Sequence, residues 1–280
     1  MSINDLEVAD ILGRYEPLYK LPSGGQKVVY AVRDSIKGKI VIKIGRYRSS
    51  QSLERAKREV QVLSTIDSPY FPRHYSFEVI DNYRYLIEEE FINGNPLHEH
   101  FADFSSEQSI LEFALELVQG LNELWVKRTV HRDIKPANIL IAKTGPKIID
   151  LGIARLLDAT SLTNSMAFMG PCTPNFASPE QLSNIKRKID HRSDQFSLGI
   201  LLVQLVLGGK HPFDPEFVGG ENIPNNILQG LWAKSNVDKS VSRGFGLILH
   251  KLLSPQPYMR YRKHEELYMN LLQIREEQYQ

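Results

Sequence analysis

The sequence predicts an α+β protein of two lobes: a small N-terminal antiparallel sheet plus one helix, and a larger, mainly helical C-terminal lobe. Two observations predict this fold class. Short apolar runs separated by polar turns fill residues 15 to 50 and 75 to 89, as in antiparallel strands. After Asn93-Gly94-Asn95-Pro96 the apolar residues recur at helical spacing instead. We therefore expect domains at residues 1–92 and 93–280, with a site in the cleft between them.

The N-terminal strands are predicted from two apolar runs, residues 28–32 and 39–44, which a polar Ser-Ile-Lys-Gly turn separates. A hairpin is predicted over residues 75–89, with its turn at Asp81-Asn82. Between these pairs of strands, a helix is indicated by apolar residues at helical spacing: Leu53, Ala56, Val60 and Leu63.

The first helix of the C-terminal lobe is expected to begin where Ser105 and Gln108 have the spacing of a capping box. The apolar stripe from Ile110 to Leu124 then continues it. Further helices are predicted over residues 191–207, 241–253 and 264–278.

Composition narrows the class of protein. The chain is 42% hydrophobic and 24% charged, with a net charge of +1, so no strong field favours nucleic acid or an anionic membrane surface. A single cysteine, Cys172, excludes an internal disulfide and fits a reducing compartment. The most apolar stretch, residues 198–207, is too short to span a bilayer. The N-terminus lacks the pattern of a signal peptide, so we expect a cytoplasmic protein with no nucleic-acid and no membrane partner.

One sequence motif contains the residue types that a catalytic site requires. The run His131-Arg132-Asp133-Ile134-Lys135-Pro136-Ala137-Asn138 precedes a strand-like Ile139-Leu140-Ile141, and Asp150-Leu151-Gly152 follows twelve residues after Asn138. Phosphoryl transfer requires such a set: a carboxylate to orient the attacking hydroxyl, a cation for the phosphate, and oxygen ligands for magnesium. A lone His-Arg-Asp also fits an exposed turn without chemistry, but the extended set favours a site.

The spacing of this motif resembles the catalytic loop of eukaryotic-like, bacterial-type serine/threonine protein kinases. The resemblance implies a two-lobed protein kinase fold, ATP as the phosphate donor and Mg²⁺ as the metal. It implies that Asp133 is the catalytic base, that Lys135 contacts the transferring phosphate, and that Asn138 and Asp150 hold magnesium. Lysine at position 135 is typical of serine/threonine kinases, whereas tyrosine kinases usually lack it.

The same resemblance identifies nucleotide-binding residues. Lys43 would hold the α- and β-phosphates with Glu59 as its ion-pair partner. Glu90 and Ile92 would form the hinge for adenine, and Glu89 would lie at the back of the pocket. The glycine-rich loop departs from the family pattern, because Pro22 and Lys27 stand where glycines are expected. The expected nucleotide-binding residues are Leu21, Gly24, Gly25, Val29, Val41, Lys43, Glu90, Ile92 and Leu140.

The span between Asp150 and Glu180 resembles an activation segment, ending in a sequence similar to Gly-Thr-Pro-x-Tyr-x-Ala-Pro-Glu. The resemblance implies that Thr173 bridges the catalytic loop residues, that Glu180 forms a buried pair with Arg260, and that Asp194 fixes the catalytic-loop backbone. Arg132 would meet a phosphate on this segment. The candidate activation-segment hydroxyls are Thr160, Ser161, Thr163, Ser165 and Thr173.

These residues together predict an ATP- and magnesium-dependent serine/threonine kinase that acts on protein substrates. A transient homodimer is expected for phosphorylation of one copy's activation segment by another. Two alternatives stay open. A pseudokinase scaffold is supported by the degraded glycine-rich loop, and a small-molecule kinase of related fold would keep the base and metal residues but lack the segment from Thr173 to Glu180.

Overall fold

The structure is a computed structural model of the chain, and it describes residues 5–23, 27–47, 49–150 and 173–279. These residues form two compact units, of which the first ends at Asn93 and the second begins at Gly94. Among the residues described, no helix combines the length and apolar content needed to cross a membrane.

The first unit is built on a five-stranded antiparallel sheet in the order β1-β2-β3-β5-β4. A tight turn joins β2 to β3: Asp34 Oδ1 accepts hydrogen bonds from the backbone of Ile36 and Lys37, and Gly38 takes the positive φ of 73° that the turn requires. The predicted sheet with one helix is therefore present. Its elements are β1 (Glu16–Leu21), β2 (Lys27–Asp34), β3 (Gly38–Arg46), α2 (Ser50–Leu63), β4 (His74–Val79) and β5 (Arg84–Glu90).

An N-terminal segment that was not predicted covers one face of this sheet. It consists of a 3₁₀ turn (Asp5–Val8) and a short helix, α1 (Ala9–Leu12). The apolar side chains of β3 that face it are fully buried, and Val8 and Ile11 join them in one core cluster. Side chains alternate along a strand, so an apolar row on this face needs a cover.

Ion pairs fasten this N-terminal segment to the sheet. The Arg84 guanidinium donates to both carboxylate oxygens of Asp10 at 2.9 Å, and it also donates to Asp81 Oδ2 at 2.7 Å. The Arg84 side chain is 11% exposed and the Asp10 side chain 58% exposed, so the contact lies at the surface and its bidentate geometry distinguishes it from an ordinary surface pair.

The second unit combines a small sheet with many helices, as the sequence predicts. The three-stranded sheet is antiparallel in the order β6-β7-β8 and comprises β6 (Gly94–Pro96), β7 (Ile139–Ala142) and β8 (Gly145–Ile148). The predicted helices at 191–207, 241–253 and 264–278 are present to within two residues. The helices are α3 (Glu107–Val126), α4 (Pro179–Leu182), α5 (His191–Val206), α6 (Pro215–Val218), α7 (Ile223–Gln229), α8 (Lys234–Ser240), α9 (Arg243–Leu252) and α10 (His264–Tyr279).

The predicted capping box of α3 is wrong by one residue. Ser106, not Ser105, is the N-cap: its backbone is extended and its side chain accepts a hydrogen bond from the Ser109 N–H at 3.2 Å. The Ser109 hydroxyl completes the box in place of Gln108. Two adjacent serines offer the same cap chemistry, and only the backbone conformation decides between them.

Helix α5 forms the centre of the second unit. It is buried from Ser193 to Leu205, so it lies in the core rather than on the surface. Gly199 permits close packing against α9, because a Cβ there would lie 2.9 Å from the Leu252 Cβ. The first turn of α5 therefore holds polar side chains at a fixed depth inside the unit.

The N-terminal segment yields a stability prediction. Ile11→Ala should lower the free energy of unfolding by about 2–5 kcal/mol, because it leaves a cavity under the sheet. Ile36→Ala, the matched control in an exposed turn, should change it by less than about 0.5 kcal/mol. Urea unfolding followed by circular dichroism measures both variants. Equal losses in the two variants would contradict the covering role of the segment.

Candidate active site

The Asp133 carboxylate is held by three side chains of the second unit. Asp133 is 8% exposed. Thr173 Oγ1 donates to Asp133 Oδ1 at 2.8 Å. On the other oxygen, Asn138 Nδ2 donates to Oδ2 at 3.0 Å and Lys135 Nζ lies 3.0 Å away. These contacts fix the orientation of the carboxylate, which an acid–base role requires.

Thr173 connects the residues of this cluster across about forty positions of chain. Its hydroxyl accepts a hydrogen bond from Lys135 Nζ at 2.7 Å while it donates to Asp133. The bridge expected from the sequence is therefore present. A cation, a carboxylate and a hydroxyl meet here within hydrogen-bond distance, beside the amide of Asn138.

His131 is fully buried and supports the loop from inside. Its Nδ1 accepts a hydrogen bond from the Asp133 N–H at 3.2 Å, so its other ring nitrogen carries the proton. That nitrogen, Nε2, donates to the Ile149 carbonyl at 3.1 Å. A neutral imidazole thus ties the catalytic loop to the residue just before Asp150.

Asp194, in the first turn of α5, fixes the loop backbone as expected. Its Oδ2 accepts from the His131 N–H at 2.8 Å and from Trp125 Nε1 at 3.0 Å, and its Oδ1 accepts from the Arg132 N–H at 2.8 Å. Complete burial raises the pKa of Asp194, while the hydrogen bonds from these three donors oppose the rise by stabilising the ionised form. Arg132 is held at a φ of +68°, a conformation that costs energy in a residue other than glycine.

Asn138 and Asp150 carry side-chain oxygen atoms that are suitable ligands for magnesium. The Asn138 amide nitrogen donates to the Asp133 backbone carbonyl and carboxylate, which orients its Oδ1 as an acceptor elsewhere. The Asn138 carbonyl accepts from the Ile149 N–H at 2.9 Å, next to Asp150. Asp150 has a φ of +60°. Magnesium prefers oxygen ligands and is commonly held by one or two carboxylates with substrate phosphates, so these residues fit it.

The Glu180–Arg260 pair is present and fully buried, with side chains 2% and 0% exposed. Arg260 Nη1 donates to Glu180 Oε1 at 2.7 Å and Nη2 donates to Oε2 at 3.1 Å. Burial lowers the pKa of Arg260, and the paired carboxylate of Glu180 opposes this. The Ser193 hydroxyl also donates to Glu180 at 2.6 Å. The pair therefore anchors α4 to α5 and to the 3₁₀ turn before Arg260.

Gln181 is a site residue that the sequence analysis missed. Its Nε2 donates to the Arg132 carbonyl at 3.0 Å, and its Oε1 accepts from the backbone N–H and hydroxyl of Ser178. The spacing Ser-x-x-Gln is a readable capping box. That signal predicts the start of α4, but it does not predict that the same amide reaches the catalytic loop. Trp125 was missed as well, since nothing local marks its indole as a partner of Asp194.

His211 holds the turn that follows Thr173. Its Nε2 donates to the Asn175 carbonyl at 3.0 Å, and its Nδ1 accepts from the Phe213 N–H at 3.2 Å. Phe176 packs edge-on against the imidazole at 5.3 Å between ring centroids. Burial lowers the pKa of His211 to about 4, so the ring is neutral near pH 7.

The first unit brings several expected nucleotide residues to one face of its sheet. Leu21 pairs with Val29, and Val29 pairs with Lys43. Directly paired residues share a face, and Val41 lies two positions from Lys43 on the same strand. This face is opposite to the one that α1 covers. Glu90 ends β5, with its N–H donating to the Arg73 carbonyl at 2.9 Å.

The other expected residues belong to other elements or lie outside the described residues. Ile92 follows β5 in the first unit, and Leu140 lies on β7 in the second. Gly24 and Gly25 lie outside the described residues, as do the candidate phosphorylation sites Thr160, Ser161, Thr163 and Ser165.

The described partner of Lys43 is not the one expected. Lys43 Nζ lies 2.5 Å from Glu89 Oε2. Glu59 belongs to α2, but its side chain lies outside what the structure describes, so the Lys43–Glu59 pair stays a prediction. The sequence analysis places Glu89 at the back of the pocket and names no ion-pair partner for it.

Comparisons with known proteins identify relatives of the chain. Residues 15–272 match the family model described as "Protein kinase domain". Over 276 residues the chain is 32% identical to the serine/threonine-protein kinase PrkC of Bacillus subtilis, covering 92% of this chain and 40% of PrkC. It is 33% identical to the serine/threonine-protein kinase pkn2 of Myxococcus xanthus (77% of this chain, 26% of pkn2) and 28% identical to PknB of Mycobacterium leprae (96% and 42%). The chain thus spans under half the length of these curated relatives.

A solved structure shows the same fold. The crystal structure of Rad53 1–466 in complex with AMP-PNP superposes with a TM-score of 0.71 at 21% sequence identity, covering 92% of this chain and 65% of that one. The two-lobed protein kinase fold expected from the sequence is confirmed.

His211 makes stability depend on pH. The pKa of His211 in the folded protein is about 4, below the ordinary 6.5. The contribution of the neutral ring to the free energy of unfolding is therefore fully present above pH 6.5 and is lost as pH falls towards 4. Between pH 7 and pH 5 we expect the free energy of unfolding of the wild-type protein to fall by about 2 kcal/mol through this group. The His211→Gln variant should lack this part of the pH dependence. Urea unfolding followed by tryptophan fluorescence reports on the second unit, which holds both tryptophans. His98→Gln, at an exposed histidine, should keep the wild-type pH dependence, and equal pH dependence in all three proteins would contradict the assignment.

Proposed function

The chain belongs to the protein kinase family, and from this premise we propose that it transfers the γ-phosphate of ATP to serine and threonine hydroxyls of protein substrates. The observation that carries the proposal is the cluster of Asp133, Lys135, Asn138 and Thr173 in the second unit. A binding scaffold has no chemical need for a carboxylate oriented by a cation, an amide and a hydroxyl together.

In the proposed reaction, the oxygen of the acceptor hydroxyl attacks the γ-phosphorus of ATP. The bond from that phosphorus to the β–γ bridging oxygen breaks, and ADP leaves. Asp133 orients the hydroxyl and takes up its proton, while Lys135 offsets negative charge on the transferring group. Asn138 and Asp150 would hold magnesium, which neutralises charge on the β- and γ-phosphates when bound.

The first unit would bind the nucleotide and the second would carry out the chemistry. Lys43 would contact the α- and β-phosphates, and Val29 and Val41 would pack against adenine. Their shared sheet face supports this assignment. The likeness to a fold solved with AMP-PNP also supports a nucleotide ligand.

The partners follow from the reaction. The names of the relatives support protein substrates with serine or threonine acceptors. We propose that two copies of the chain meet transiently, so that each phosphorylates the other's activation segment. The single cysteine supports a reducing, cytoplasmic setting.

Asp133→Asn tests the reaction. The isosteric amide cannot accept the proton, so kcat for transfer of labelled phosphate from ATP with magnesium to a generic basic protein should fall by about 10²-fold or more. Asp103→Asn changes an exposed aspartate in the same way and should keep full activity. Transfer that persists in Asp133→Asn, or its absence in the wild-type protein under every activating condition, would refute the proposed reaction.

Autophosphorylation yields a second expectation. After incubation with ATP, mass spectrometry should find at least one phosphate between Thr160 and Thr173, because Arg132 offers a cation for it. The Asp133→Asn variant should stay unmodified when incubated alone. A rate per chain that rises with protein concentration would indicate transfer between copies. An active enzyme without phosphate in this span would contradict the regulatory proposal.

A further inference from the structure

Lys43 and Glu89 lie on adjacent, hydrogen-bonded strands of the first unit. In the β3–β5 register Val41 pairs with Glu89, and Lys43 pairs with Ile87. Glu89 is therefore the diagonal neighbour of Lys43 on the same sheet face, within reach of two long side chains. Their charged atoms meet at 2.5 Å, from Nζ to Oε2.

Burial makes this contact stronger than an exposed ion pair. The side chains of Lys43 and Glu89 are 9% and 14% exposed. A charge withdrawn from water needs a partner of opposite sign, and attraction between such partners is screened little by salt. Removing one member of such a pair leaves the other poorly solvated.

The neighbouring glutamate does not serve the same purpose. Glu88 points to the opposite face of the sheet, as strand alternation requires. There its carboxylate accepts hydrogen bonds from Tyr15, from Lys37 Nζ at 2.5 Å and from Ser76 Oγ at 2.8 Å. The Glu88 carboxylate is therefore hydrogen-bonded on the face of the sheet that α1 covers, away from Lys43.

Among the described residues, His74 is a second titratable group beside Glu89, since the two pair across β4 and β5. Burial lowers the pKa of His74, the Glu89 carboxylate opposes this, and the Lys43 charge adds to it. His74 is therefore neutral at pH 7 and does not compete as a cation for the Glu89 carboxylate. In the part of the chain that the structure describes, the Glu89 carboxylate meets the positive charge of Lys43.

We infer that Glu89 is a positioning residue for Lys43, holding its ammonium group from within the sheet. The importance of that position rests on the proposed function, in which Lys43 contacts the phosphates of ATP. The hydrogen-bonded ladder between β3 and β5 fixes the distance between the two backbones. Glu59 belongs to α2, outside this ladder. The lysine thus keeps an anionic partner whatever the position of the helix.

Glu89→Gln tests the inference, with Glu78→Gln as matched control. Glu78 lies on β4 of the same sheet and forms an exposed ion pair with Arg14. The protein is acetylated with trace acetic anhydride over a pH series, without nucleotide, and mass spectrometry quantifies the product at Lys43. The pH dependence of this reaction reports how strongly the ammonium form of Lys43 is favoured. Loss of the adjacent negative charge in Glu89→Gln should lower the midpoint pH of Lys43 acetylation by about one unit or more. The Glu78→Gln control should leave this midpoint unchanged.

Activity measurements provide the second readout. Glu89→Gln should lower kcat/KM for ATP by about tenfold or more at a temperature at which the variant is fully folded, and Glu89→Asp should recover part of the loss because it keeps the charge. An unchanged acetylation midpoint overturns the inference, and so does a shifted midpoint with unchanged kcat/KM.

The acetylation readout separates this inference from the proposed function. If the wild-type protein transfers no phosphate, the proposed function fails, while the midpoint still reports whether Glu89 holds Lys43. If Glu89→Gln does not melt cooperatively, Glu89→Met, which also removes the charge, takes its place, with the same midpoint shift expected and an unchanged midpoint again overturning the inference.

Discussion

The carboxylate of Asp194 is the constraint on which the second unit's site depends. It lies in the first turn of a helix that is buried along most of its length, so its depth and direction are set by the core. A buried carboxylate must find donors, and the backbone N–H groups of His131 and Arg132 supply two of them. Arg132 adopts a left-handed backbone conformation at this point, and the energy of satisfying a buried charge can offset that strain.

The contacts of the residues that follow Arg132 depend on this fixed backbone. Asp133 comes next in the chain, and its side chain turns towards Thr173 and Asn138. Gln181 holds the loop from the other side through the Arg132 carbonyl, and the same short helix carries Glu180 into its buried pair with Arg260. Segments far apart in sequence are thus joined by polar groups that are withdrawn from water, where a missing partner is costly. These contacts give the cluster a defined geometry although little of it is regular secondary structure.

Local patterns predicted much of this architecture, and they failed where the answer depended on distant partners. Apolar periodicity located α5, α9 and α10, because burial of one face or of a whole helix leaves a direct trace in sequence. Motif spacing indicated the bridge at Thr173 and the role of Asp194. The N-terminal cover was missed because Val8 and Ile11 are too few to form a periodic pattern. The cap of α3 was misplaced because adjacent serines are chemically equivalent. The contact between Lys43 and Glu89 arises from strand register, which a single sequence does not specify.

That register also has a consequence for inhibitor chemistry. The sheet face that carries Val29 and Val41 also presents an ammonium group and a carboxylate directly across the strands, because Val29 pairs with Lys43 and Val41 pairs with Glu89. A lipophilic substituent extended along this face would have to desolvate both ions without replacing their interactions. Compounds bearing a polar group that can hydrogen-bond to the acid or to the amine would avoid that penalty. Selectivity among related enzymes could then be achieved through charge complementarity instead of steric fit.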